Sequence, residues 1–310
     1  MIIVRDISQF KSTKPSVLTI GTFDGVHIGH RKILEHLIKQ GRDQNLQATL
    51  LTFFPHPRMV LQKDSGIKML NTIAEKSEIL ESLGLDCLVI HPFTKAFSRL
   101  TATAYVQDIL VDTLKAKKII IGYDHRFGRN RTANLSDLKA FGADYDFQVE
   151  EIPAQEVDQV SVSSTKIRQA LQSGDLETAN TFLGYPYMIS GKVIRGKGLG
   201  RTMGFPTANL LPDTDYKLIP ANGVYLVKTQ VGDFHGFGVM NIGLNPTVDG
   251  SKLHLEVHIF DINRDLYDLP IRVHLLERLR DEQKFNTLED LRVQIQNDLV
   301  NSGMRLKKYT

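Results

Sequence analysis

The pattern of apolar residues changes character near residue 185. Before it, short runs rich in β-branched and aromatic residues ("SVLTIGTF", "ATLLTFF", "CLVIHPF", "KKIIIG") alternate with amphipathic stretches ("HRKILEHLIKQGRDQ", "AEKSEILESLG", "ATAYVQDILVDTLK", "SDLKAFGADY"). Strands alternating with helices predict a parallel sheet covered on both faces, and ligands of such doubly wound α/β sheets gather at the carboxyl ends of the strands. Beyond the change, five short runs ("YMISGKVI", "GVYLVKTQV", "HGFGVMNIG", "KLHLEVHIF", "IRVHLL") are broken by Gly, Pro, Asn and Asp. Closely spaced strands with turn signals predict a small antiparallel barrel. One helix is expected to close it: in "TLEDLRVQIQNDLVNSG", Thr287 and Asp290 have capping spacing and Leu288, Leu291, Ile295 and Leu299 form one stripe. A helix-ending Gly184 followed by Pro186 sets the expected boundary, with domains at 1–184 and 185–310.

Two domains suit a chain of 310 residues. The net charge is only +3 and is spread over both halves, so neither carries the basic excess of a phosphate-backbone binder. Small anionic ligands are expected, not nucleic acid. The single cysteine, Cys87, sits in an apolar run with no cation nearby, which predicts a buried, inert thiol in a reducing compartment. No apolar run is long enough for a membrane span, and "MIIVRDIS" does not read as a signal peptide. A cytoplasmic protein without membrane contact is expected.

At the exit of the first strongly apolar run stands "GTFDGVHIGH", residues 21–30, followed by a helical stretch. A helix N-terminus presents unpaired N–H groups and the positive end of its dipole, which attract phosphate. Gly21, Gly25 and Gly29 allow close backbone approach, and His27 and His30 can aim ring donors at the same phosphates. Chemistry that fits is attack on an α-phosphate with pyrophosphate leaving, where positioning and charge stabilisation suffice. A cap and a turn residue would also explain the two histidines; zinc is disfavoured because no third ligand has suitable spacing. Further along, "VSSTKIRQAL" opens another helix with Ser163, Ser164 and Thr165, followed by Lys166 and Arg168. These are either a plain cap or a second set of donors for a triphosphate.

Together the two stretches resemble the HxGH nucleotidyltransferase superfamily, whose fold is Rossmann-like. "GTFDGVHIGH", "FFPHP", "IGYDHRFGRNR" and "VSSTKIR" are similar to the FMN adenylyltransferase module of prokaryotic bifunctional FAD synthetases. The resemblance implies that Gly21, Phe23, Asp24, His27, Gly29, His30, Ser163, Ser164, Thr165 and Arg168 bind ATP, with His27 and His30 catalytic. It also implies an assisting Asp124 and a flavin subsite at Pro55, His56 and Pro57. The chain departs from the family at His125, where an aromatic is usual.

The second domain opens with "SGKVIRGKGLGRTMGFPTANL", rich in glycine and carrying Lys192, Arg195, Lys197 and Arg201. It is not a Walker loop, because Gly198 stands where Ser or Thr must hold magnesium. A glycine-rich basic loop can still wrap phosphates through its backbone, although an exposed hairpin would look the same. Thr207 and Asn209 supply hard oxygen ligands suited to Mg²⁺. In "KLHLEVHIF", Leu253, Leu255, Val257 and Ile259 alternate onto one face, which puts Glu256 on the other between His254 and His258 as a candidate general base.

"GKGLGRTMGFPTANL", "NGVYLV", "NIGLNPTV", "LEVHIFDINRDLYD" and "LRDEQKFNTLEDLRVQIQND" resemble the riboflavin kinase family in that family's order. The resemblance implies ATP binding by Gly191, Lys197, Gly198, Gly200, Arg201, Thr207 and Asn209, with Mg²⁺ at Thr207 and Asn209. It further implies that Glu256 is the base on the ribityl 5′-hydroxyl and that Arg280 lies near the flavin. The implied activity is riboflavin phosphorylation to FMN, then FMN adenylylation to FAD. The expected partners are ATP, riboflavin and FMN, with flavins as substrate and product, MgATP at both steps and no more than weak self-association. Two rivals stand: a lone adenylyltransferase with a flavin-binding barrel, and a nonenzymatic flavin or RNA-binding regulator.

Overall fold

The computed structural model describes residues 1–62, 66–122, 126–129, 132–152, 162–196, 199–247 and 250–309. The chain forms two compact units, Met1–Met69 with Ile73–Ser163, and Leu70–Thr72 with Ser164–Thr310.

Six parallel strands build the first unit: β1 (Ile2–Val4), β2 (Ser16–Ile20), β3 (Gln47–Phe53), β4 (Cys87–His91), β5 (Ala116–Gly122) and β6 (Gln148–Ile152). Their order is β1-β4-β3-β2-β5-β6. Every residue of β2 is buried, as a central strand covered on both faces requires. The connecting helices are α1 (Ile28–Asp43), the short α2 (Pro57–Leu61), α3 (Ile73–Ser82), α4 and α5 (Leu135–Tyr145). Helix α4 starts with α spacing over Ala102–Ala104 and continues with π spacing over Tyr105–Thr113. Its Tyr105, Val106, Ile109 and Leu110 join Leu18, Leu51, Val89 and Ile119 in one core. Chain order runs outward from β2 through β3 to β4, then restarts on the other side at β5. The crevice at the carboxyl ends of β2 and β5 is therefore the topological switch point. The doubly wound expectation holds. The edge strands β1 and β6 are additions to it, because three residues and the half-polar "QVEEI" carry too little period to stand out.

In the second unit, α6 (Ser164–Ser173) and α7 (Leu176–Leu183) precede a closed barrel. Its strands are β7 (Met188–Ile194), β8 (Ala208–Pro212), β9 (Gly223–Val231), β10 (Phe234–Thr247), β11 (Gly250–Ile259) and β12 (Pro270–Arg280). They pair antiparallel around the ring in the order β10-β11-β8-β7-β12-β9. A helix of one turn, α8 (Leu199–Thr202), lies between β7 and β8. The division after Ser163 falls earlier than the expected 184/185 boundary. Hydrogen bonds group α6 and α7 with the barrel: Asn180 on α7 donates through Nδ2 to Leu275 O (3.0 Å) and accepts at Oδ1 from Tyr187 N–H (2.7 Å). Leu171 O on α6 accepts from Ala221 N–H (2.9 Å).

The last helix, α9 (Leu288–Leu306), starts where expected, with Thr287 Oγ1 accepting from Asp290 N–H at 3.1 Å. Its packing differs from the expected apolar closure. Leu288 is 68% exposed, and Leu291, Ile295 and Leu299 are only half-buried. The residues it buries are Asp298 and Ser302. The helix is instead tied down by ion pairs, because the β12 surface beneath it offers Glu277 and Arg280.

Candidate active sites

The first site grows from the end of β2. Between Gly21 and α1 the backbone turns with Phe23 (φ 44°), Gly25 (φ 85°) and Val26 (φ 36°) all in the left-handed region. A β-branched residue pays on the order of 1–3 kcal/mol for that conformation, so the surrounding packing must impose it. Phe23 and Val26 are buried accordingly. The turn delivers His27 to the N-cap of α1, where its Nδ1 accepts from His30 N–H at 3.3 Å. The two imidazoles stack with centroids 3.6 Å apart and planes at 16°, and Phe23 packs on His30 at 4.7 Å.

Burial drives the His27 pKa down to about 4, with Asp24 opposing weakly. His30 is lowered well below its ordinary range, first by burial and then by His27 and Lys76. Both rings are therefore neutral donors at neutral pH. The buried Nδ1 of His30 has no hydrogen-bond partner among the described residues, as suits a group that awaits a ligand.

Lys76 was not expected here. It lies on α3, is 2% exposed, and donates through Nζ to Thr22 O at 2.7 Å. Burial lowers its pKa while Asp24, itself buried, raises it. The signal was present in the sequence: Lys76 occupies the stripe of Ile73 and Leu80, where a solvated lysine has no place.

Pro55, His56 and Pro57 follow β3, the neighbour of β2, and His56 Nδ1 accepts from Arg58 N–H (3.1 Å) at the start of α2. Gly29 is buried in the first turn of α1. Asp124 and His125 lie outside the described residues, just beyond the end of β5. Ser163 ends the first unit, whereas Ser164, Thr165 and Arg168 stand on α6 in the second.

The second site is built on the barrel wall. Antiparallel register puts Glu256 of β11 directly opposite Asn209 of β8, and Thr207 Oγ1 stands 3.5 Å from Glu256 Oε2. A Cβ on Gly196 would overlap the Asn209 amide, so the backbone at Gly196 packs directly against it. Gly200 is packed as tightly on Phe205 O. His254 Nε2 lies 2.8 Å from Glu256 Oε1, and His258 Nδ1 lies 2.8 Å from Pro206 O, next to Thr207. Of the loop cations, Lys192 pairs with Asp268 (2.9 Å) and Arg195 covers Tyr267 (4.5 Å). Arg201 is exposed, while Lys197 and Gly198 lie outside the described residues. Gly191 belongs to the wall itself, where a Cβ would overlap Leu211 O.

Hydroxyl, amide and carboxylate oxygens converge here, a hard donor set that fits Mg²⁺ shared with phosphates. Among the described residues no cluster of three or more His, Cys, Asp or Glu forms a self-sufficient metal cage. Arg280 stands apart from the expected flavin contact in one respect. Its Nε and Nη2 are committed to Asp298 (2.8–3.1 Å) and its Nη1 to Asp281 O (2.9 Å). Cys87 is buried in the first unit with its thiol pushed up to about 11 by burial, which disfavours the thiolate.

Two family models match the chain, FAD synthetase over residues 9–166 and riboflavin kinase over residues 183–304. A bifunctional riboflavin kinase/FMN adenylyltransferase of Buchnera aphidicola subsp. Schizaphis graminum is 39% identical, over 96% of this chain and 97% of its own length. The protein of the same description from Escherichia coli K12 is 40% identical, over 91% and 90%. A crystal structure described as a macrolide-efflux protein from Streptococcus pneumoniae superposes with a TM-score of 0.88 at 31% identity, covering 97% of this chain and 98% of that one. Among the described residues, no helix here is long and apolar enough to cross a membrane.

Proposed function

Because this chain belongs to the bifunctional riboflavin kinase/FMN adenylyltransferase family, we propose that it builds FAD from riboflavin in two ATP-dependent steps. The observation that carries the reading is a pair of clusters with different chemistry, one per unit: a buried neutral histidine pair, and a carboxylate beside hydroxyl and amide side chains.

In the barrel, Glu256 takes the proton of the ribityl 5′-hydroxyl as that oxygen attacks the γ-phosphorus of ATP and ADP departs. Thr207 and Asn209 would hold Mg²⁺ together with the nucleotide, and the ion would neutralise phosphate charge there. Gly196 and Gly200 keep the loop backbone close to that nucleotide, with Lys197, Gly198 and Arg201 as its expected phosphate contacts. In the α/β unit, an FMN phosphate oxygen attacks the α-phosphorus of a second ATP and pyrophosphate leaves. His27 and His30 donate to the phosphates, and a bound phosphate raises their low pKa values and strengthens those bonds. By the family resemblance, Ser163, Ser164, Thr165 and Arg168 are the further expected phosphate contacts of ATP, and Pro55, His56 and Pro57 the expected flavin subsite. The reading includes a cytoplasmic setting, with small molecules and not nucleic acid as partners, supported by the lone unpaired cysteine and the near-neutral charge.

The test is chromatographic analysis of products from the full chain with riboflavin, ATP and Mg²⁺. FMN should appear first and FAD follow, with one pyrophosphate per FAD. FMN without FAD would leave a kinase alone, and no ATP turnover would leave a flavin-binding protein.

A further inference from the structure

Strand β11 carries His254 and Glu256 two residues apart, hence on one face and about 7 Å apart along the chain. Leu255, Val257 and Ile259 are buried on the other face, which fixes the strand's rotation and leaves the two polar side chains no choice of side. Opposite His254 on β10 stands Gly243, and the space that a side chain there would fill is bordered by the Glu282 carboxylate and the Asn241 amide. The imidazole lies against the carboxylate with Nε2 2.8 Å from Oε1, and the side chains are 28% and 30% exposed. The other oxygen, Oε2, is the one near Thr207 Oγ1.

An ionised carboxylate only accepts hydrogen bonds, so Nε2 of His254 is the protonated nitrogen in this pair. A free glutamate samples several rotamers about three side-chain torsions, and a general base is effective only when one lone pair already faces the proton it removes. Holding Oε1 leaves Oε2 on the side of Thr207, free to take the proton of a substrate hydroxyl. We propose that His254 is a positioning residue for the riboflavin-phosphorylating site, acting through Glu256 and not on substrate. The inference rests on the assignment of Glu256 as the base. His258 serves a different part of the same face, since its ring bonds the backbone at Pro206 and steadies the segment that carries Thr207.

The experiment compares steady-state FMN formation by the full-length wild type with His254→Leu, His254→Gln, Glu256→Gln and the double variant His254→Leu/Glu256→Gln. His254→Leu should lower kcat by on the order of 10- to 100-fold, the usual effect of losing an orienting partner, with KM for riboflavin and ATP within about twofold. His254→Gln keeps an N–H donor at similar reach and should recover most of that loss. The double variant should be no slower than Glu256→Gln alone, because His254 has nothing left to orient. Conversion of supplied FMN to FAD should be unchanged throughout, and an unchanged melt of a 164–310 fragment carrying each substitution excludes misfolding of the barrel as the cause.

A wild-type kcat in His254→Leu, a Gln variant as slow as the Leu variant, or losses that multiply in the double variant would each overturn the proposal. If Glu256→Gln itself phosphorylates riboflavin normally, the base assignment is what fails. Normal His254→Leu beside an inactive Glu256→Gln removes His254 alone.

Discussion

Stacked at the start of α1, His27 and His30 are held uncharged by burial, and that electrostatic state has a stability consequence. His27 protonates near pH 4 in the folded chain but near its ordinary 6.5 when unfolded, so on acidification the unfolded chain binds the proton first. The stabilisation is whole above about pH 6.5 and is lost as pH falls towards 4. We expect the melting temperature to drop across that window. His27→Asn, which keeps an N-cap acceptor, should make the drop shallower. Calorimetric melts of both proteins from pH 7.5 to 4 check this, and parallel curves would contradict it. At this scale the sequence reading reached the groups that chemistry marks by type, namely two histidines in a glycine-rich turn and a glutamate alternating with leucines. It missed Lys76, although its place in the stripe of Ile73 and Leu80 marked it as inward-facing; that this face meets Thr22 is set by the fold and not by the pattern.

Among the elements, α9 separates pattern from packing most clearly. A stripe of leucines suggested an apolar seam, yet the helix buries Asp298 and Ser302 and leaves Val293, Val300 and Met304 exposed. The reason is the partner surface: Arg280 holds Asp298 through two nitrogens, and Glu277 gathers Arg305, Lys308 and the Tyr309 hydroxyl. A one-dimensional pattern sees one side of a contact only. Removing one member of a buried pair strands the other, so Asp298→Ala should destabilise the second unit by roughly 3 kcal/mol. Val300→Lys, on the exposed side, should stay within about 0.5 kcal/mol of wild type. Denaturation followed by far-UV circular dichroism distinguishes the two. Equal effects would mean that the helix is held by its apolar residues after all. The strands were easier to read, because the buried central runs of the sheet and the alternating runs of the barrel carry their own periods.

For the whole molecule, the change of texture near residue 185 announced two folds but not where one compact unit ends. Gly184 and Pro186 punctuate the chain, whereas the affiliation of α6 and α7 is decided by Asn180 and Leu171 bonding to barrel residues. A fragment spanning 164–310 should therefore melt cooperatively and at a higher temperature than 186–310, and it should retain riboflavin phosphorylation. Equal melting temperatures would show that the two helices add nothing to the barrel. The central claim is that one chain performs successive reactions at two separate sites. The most direct test mixes two inactive halves: full-length Glu256→Gln, whose α/β site is intact, with full-length His30→Ala, whose barrel site is intact. Given riboflavin, ATP and Mg²⁺, Glu256→Gln alone should leave riboflavin largely unchanged, slowed by roughly 10²–10⁴. His30→Ala alone should accumulate FMN, with adenylylation slowed by on the order of 10²–10³. The mixture should make FAD, because FMN released by one variant feeds the other. FAD formation by His30→Ala alone at the wild-type rate, or undiminished phosphorylation by Glu256→Gln, would contradict the account.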